Sequence, residues 1–186
     1  MITKTKVEEM NDYTIEIAHD DYADCPLEYS NGLRAYAKGR NIFQGSLSLE
    51  HDLTTQIDDY AKLSDYMNAV GEEMNSYMFP LAKYEHSAVS YYIGLPTCPR
   101  DSGIIGIVTV DKNEWMTLEC AEDYANAVMN ELTEWANGEC YYFTTINNET
   151  GEEVDSCGGY IGYENVKESA LENIPEGKDY NVIKKD

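Results

Sequence analysis

The chain has 186 residues, enough for one domain with a sizeable core, and 42% of them are hydrophobic, which excludes wholesale disorder. Asp and Glu number 35 against 13 Lys and Arg, a formal net charge of −22. A surface of that sign repels nucleic-acid phosphates and anionic lipid, so direct binding to either is excluded as a primary role. Three roles for the charge remain: repulsion that keeps the protein apart from its copies, complementarity to a basic partner such as the nucleic-acid channel of another protein, and binding of hard cations. For the last, no stretch has the oxygen spacing around glycine that an EF-hand requires.

The expected architecture is α+β: one domain over residues 1–186, with a mostly antiparallel sheet, two longer helices and a short C-terminal helix. Residues 1–11 read as a frayed lead-in. Residues 13–18 (YTIEIA) alternate apolar and polar and predict a strand. Residues 19–32 read as an Asp-rich loop closed by Asn31-Gly32, and residues 33–38 as a short helix. Residues 48–77 predict a long helix: Ser48 serves as N-cap, and Leu53, Ile57, Tyr60, Met67, Val70, Met74 and Tyr77 keep three-to-four spacing. Gly71 is expected to weaken or split it.

Residues 84–95 and 104–110 predict strands, and 111–137 a second helix with Ala121, Ala125, Val128, Leu132 and Trp135 inward, stopped at Asn137-Gly138. Residues 140–146 and 153–161 predict a hairpin around 147–151, where Gly151 can take a positive φ. Residues 164–172 predict a short amphipathic helix and 180–183 a last strand. Tyrosine dominates the aromatic residues, 16 against 3 Phe, which suits a core boundary where a ring is buried and its hydroxyl stays wet.

The five cysteines, Cys25, Cys98, Cys120, Cys140 and Cys157, include no Cys-x-x-Cys pair. With no apolar core of a signal peptide near the N-terminus and no run of about 20 apolar residues, the expectation is a cytoplasmic protein with reduced thiols. Cys120, in a predicted helix, and Cys140, in a predicted strand, are expected to be buried and inert.

Residues 84–106, YEHSAVSYYIGLPTCPRDSGIIG, gather the most chemically able side chains, and Asp155-Ser-Cys157-Gly-Gly echoes them. Cys98 with His86 and Asp101 or Asp155 supplies the residue types of an activated thiolate. His86, Cys98 and Cys157 with Asp155 or Cys25 supply those of a mixed zinc site. The plainer reading ties His86, Asp101 and Asp155 into loop hydrogen bonds, with small residues such as Ser102 permitting tight turns, and it is favoured: Cys98 precedes Pro99, and no Cys or His pair has finger or ribbon spacing. No cofactor or metal is predicted. Neither GIIGI nor CGGYIGY is a phosphate-binding loop.

Three stretches, IEIAHDDYADCPLEYSN, YEHSAVS with CPRDSGIIGIVTV, and NNETGEEVDSCGGYIG, together resemble a family of small uncharacterised proteins of bacteriophages, prophages and related mobile elements. Tyr-Glu-His-Ser, Cys-Pro-x-Asp-Ser-Gly and Asp-Ser-Cys-x-Gly are the specific pieces. Arg100 and Gly158 stand where members usually carry an aromatic ring. The resemblance implies a mobile-element origin more than a reaction.

Acidic residues recur on the predicted helices. Asp58, Asp65 and Glu72 repeat every seven residues and form one ridge about 21 Å long, widened by Asp59 and Glu73. Glu119, Glu122 and Asp123 lie on the second helix. Ridge acids about 10.5 Å apart copy duplex DNA poorly, since DNA carries a charge every ~1.7 Å, so mimicry requires several acidic elements side by side. The expected function is a non-enzymatic inhibitor of a host defence nuclease, of anti-CRISPR or anti-restriction type, whose acids occupy a basic channel. The rival expectation is a metal-binding or thiol-dependent enzyme built on His86, Cys98, Asp155 and Cys157.

Overall fold

The computed structural model describes residues 11–37 and 60–185. They form an α+β protein whose strands divide between two four-stranded sheets, each in its own compact unit.

The unit of residues 24–137 holds α1 (Pro26–Tyr29), β2 (Leu33–Ala37), α2 (Tyr60–Glu73), β3 (Ser76–Glu85), β4 (Val89–Ile93), β5 (Ser102–Asp111) and α3 (Leu118–Ala136). Its sheet runs β2-β5-β3-β4 and is antiparallel throughout. Residues 106–110 of the inner strand β5 are all buried, because helices cover both faces of the sheet. Val108, Val110, Leu81 and Tyr91 point to one side and pack with Ala121, Ala125, Val128, Met129 and Leu132 of α3. Ile107 and Tyr36 point to the other, against Leu63 and Met67 of α2. Gly106 sits where a Cβ would lie 1.8 Å from the Tyr36 carbonyl oxygen, so β2 and β5 approach only because the residue is glycine.

The α3 helix also seals the sheet edge. The Thr133 hydroxyl accepts from the Tyr91 N–H at 2.8 Å and donates to the Tyr91 carbonyl at 3.2 Å. One turn later Asn137 accepts from the Val89 N–H at 3.0 Å and donates to the Val89 carbonyl at 2.7 Å. Two side chains four residues apart therefore take the part of a missing strand beside β4.

The unit of residues 11–23 and 138–185 holds β1 (Tyr13–His19), β6 (Cys140–Asn147), β7 (Glu153–Ile161), α4 (Tyr163–Glu172) and β8 (Tyr180–Lys184). Its sheet runs β7-β6-β1-β8, with β1 antiparallel to β6 and parallel to β8. Ile15, Ile17, Tyr141 and Phe143 bury one face under Val166 and Ala170 of α4. The β6–β7 hairpin turns as expected, with Gly151 at φ 72° and the Asn147 side chain accepting from the Glu149 and Thr150 N–H groups.

Several expected elements change. Residues 33–37 are a strand, since Leu33 and Ala35 are buried and Arg34 is exposed against β5. The expected helix over 48–77 is observed as Tyr60–Glu73, and its part before residue 60 lies outside the described residues, as does most of the lead-in. Asn75, at φ 51°, ends it, and Ser76 opens a strand. Gly71 does not split α2: a Cβ there would come 3.0 Å from the Ser76 carbonyl oxygen, so the glycine lets helix and strand meet. The expected strand over 84–95 is the end of β3 and all of β4, folded at residues 86–88. The second helix begins at Leu118, capped by Thr117, and Asp111 ends a strand. Residues 19–32 contain the short α1. Cys140 is buried as expected, but Cys120 is exposed.

Candidate functional site

The solvent face of α3 carries charge of one sign. The helix contains Glu119, Glu122, Asp123, Glu131 and Glu134 and no Lys or Arg. Its buried positions follow a helical period, which turns all five acids outward, where each is exposed. They spread over about 22 Å of axis, with exposed Asn126 and Asn130 between them. The spacing is uneven: Glu119, Glu122 and Asp123 fall within about 6 Å of axis, and about 12 Å then separates Asp123 from Glu131, so the helix alone copies neither a DNA strand nor a duplex. Thr117 fixes the start of the helix by accepting from the Cys120 N–H at 3.1 Å.

The two ends of the helix differ: Glu119, in the first turn, suits the helix dipole, whereas an acid in the last turn opposes it. Glu134 stands in the last turn, where negative charge is unfavourable, and no basic residue is there to offset it. Burial, and then the neighbouring charge of Glu134, push the Glu131 carboxyl above its ordinary value.

The acids of α2 do not join this face. Asp65, Glu72 and Glu73 are exposed, but α2 covers the sheet face opposite α3. Glu72 is ion-paired to Lys112 at 2.8 Å, which holds its carboxyl below the usual range, and the same Lys112 ammonium lies 5.1 Å from the centre of the Tyr77 ring. Asp58 and Asp59 lie outside the described residues. Of the expected contact residues, Glu119, Glu122 and Asp123 share one face.

The motif loop is held by its own hydrogen bonds. The Ser102 hydroxyl accepts from the Cys98 N–H at 2.8 Å and donates to the Cys98 carbonyl at 2.6 Å. The Cys98 thiol donates to the Asp101 carboxylate at 3.6 Å, and the Asp101 carbonyl accepts from the Glu85 N–H at 2.9 Å. His86 is exposed in the β3–β4 turn, and no hydrogen bond joins its ring to Cys98 or Asp101. Asp155 and exposed Cys157 belong to the other unit, where Asp155 accepts from the Asn173 amide at 2.7 Å. Among the described residues, no group of three His, Cys, Asp or Glu side chains is arranged to hold a metal ion.

Two features were missed from the sequence. The first is the segment before α3: Trp115 is 83% exposed and Leu118 57%. The signal was present, since Thr117 immediately before the apolar period is a helix-start residue, and starting the helix there leaves Trp115 in a loop. The second lies in the unit of β1 and β6. The Tyr141 hydroxyl donates to the Glu139 carboxylate, and the His19 ring lies 4.7 Å from the Tyr141 ring. Lys184 stands 5.1 Å from the Tyr141 ring and 4.9 Å from the Tyr163 ring. Its donors, acceptors and cation are matched to one another, so it reads as a structural tie.

Among the described residues, no helix is long and apolar enough to cross a membrane. No family model, curated protein or solved structure matches the chain.

Proposed function

We propose that the protein is a stoichiometric, non-enzymatic inhibitor of a nucleic-acid-handling protein, and that the outer face of α3 occupies that partner's basic channel. One observation carries the reading: five exposed acids and no base on a single helix, with Glu134 kept in the last turn where the helix dipole disfavours it. A solvated surface gives no reason to keep acids at that end, whereas a surface selected to meet positive charge does. The net charge of −22 sets the long-range field for the encounter. The sequence resemblance to proteins of mobile elements makes a host defence nuclease, RNA-guided or of restriction type, the natural class of target, inside a host cell.

The reading is tested by titrating the protein into a panel of RNA-guided and restriction nucleases and following DNA binding and cleavage. Inhibition that saturates at a fixed molar ratio and is relieved by excess DNA is expected. Reversing Glu119, Glu122 and Asp123 together to Lys should weaken it at least tenfold, whereas reversing Asp65 on the opposite sheet face should change it little. Equal effects from the two sets would remove α3 from the interface.

A further inference from the structure

We propose that Trp115 and Leu118 form an apolar anchor that enters an apolar pocket with a basic rim on a protein partner. Resting on the reading of α3 as a binding face, the anchor supplies the desolvated centre that charge alone does not.

Trp115 is 83% exposed, whereas the chain's other tryptophan, Trp135, packs against the core. A surface tryptophan with an exposed leucine three residues on is the composition of an interface centre, where aromatic anchors dominate the energetics. The loop that carries it is fixed before any partner arrives. The Trp115 N–H donates to the Asn113 side chain at 2.9 Å, and the Met116 N–H to the Asn113 carbonyl at 3.2 Å. The Met116 side chain packs into the core, and its carbonyl accepts from the Tyr77 hydroxyl at 3.0 Å. With Thr117 capping α3, the backbone on both sides of Trp115 is held, so binding has only the indole's own rotamer left to order.

The neighbouring charges select the occupant. Glu114, Glu119 and Glu122, close to Trp115 and Leu118 in sequence, are all exposed, and the one base nearby, Lys112 beside Leu118, is already ion-paired to Glu72 at 2.8 Å. Acids around an apolar centre exclude nucleic acid and anionic membrane and complement a pocket edged with Lys or Arg. The occupant is therefore a protein, and the acids steer the approach while the indole and leucine hold it.

The test uses two peptides of equal charge: an oligolysine, and an amphipathic Lys/Leu helix. The emission of Trp115 is isolated as the difference between the wild-type protein and W115F. The Lys/Leu peptide is expected to bind at least tenfold more tightly than oligolysine and to shift the Trp115 emission to the blue. W115A with L118A should erase the preference and leave oligolysine binding unchanged. Equal binding of the two peptides, or a preference that survives in the double variant, overturns the anchor. If the preference holds while no nuclease in the panel is inhibited, the anchor stands and the nuclease reading fails.

Discussion

Asn137 and Thr133 do work that their residue types do not announce. Each makes paired hydrogen bonds to the backbone of β4, closing an edge that would otherwise offer free N–H and C=O groups. Asn137→Ala removes both bonds to Val89 and should cost about 2 kcal/mol in urea unfolding. A cost near zero would mean that water replaces the amide without penalty. Two tyrosines give a second residue-level prediction. Burial first, then the charges of Glu85 and Cys25, push Tyr91 up to about 12. Burial, then the hydrogen bond to Glu139, push Tyr141 up to about 12. The folded state keeps these protons, while an unfolded chain releases them near pH ~10. Their contribution to stability is therefore complete below about pH 10 and is lost as pH rises towards 12. Tyrosinate absorbance should show two groups ionising only as the fold is lost; a single titration near pH 10 with the fold intact would contradict this.

At the scale of elements, α3 trades stability for charge. Replacing Glu134 by Lys puts a favourable sign at the helix C-terminus and should stabilise the protein by about 0.3–1 kcal/mol while weakening partner binding. Gain of stability with binding unchanged would mean that this end of the helix lies outside the interface. The helix itself was legible from Ala121, Ala125, Val128 and Leu132, as was the hairpin from its alternation and Gly151, because both signals are local. Its start was misplaced because Asp111 to Met116 contain no Gly or Pro to mark the end of β5. The β3–β4 turn was hidden for the same reason: His86-Ser87-Ala88 interrupts a tyrosine-rich run with no Gly or Pro, and one Ser is a weak turn signal. Five residues of β2 are too few to show a period, and their pairing with β5 overrides local preference.

At the scale of the molecule, the division into two sheets was not legible. Tyr13 pairs with Asn147 and also with Tyr180, and such distant partnerships leave no trace in local pattern. The sum of the charge was legible, but its geometry was not: the sequence sets the acids of α2 and α3 on two helices, and the fold turns those helices to opposite faces of a sheet. On α3, Glu119, Glu122 and Asp123 then share one face, with Trp115 and Leu118 before and at the start of the helix. The central claim is that this face competes with nucleic acid for a basic channel. The most direct test is the affinity for an inhibited nuclease, measured against DNA between 50 and 300 mM salt for the wild type and for the triple reversal of Glu119, Glu122 and Asp123. Tight wild-type binding that displaces DNA and weakens steeply with salt, with a shallower slope in the triple variant, is the predicted result. Binding that leaves DNA in place, or that is as tight at 300 mM as at 50 mM, would contradict it.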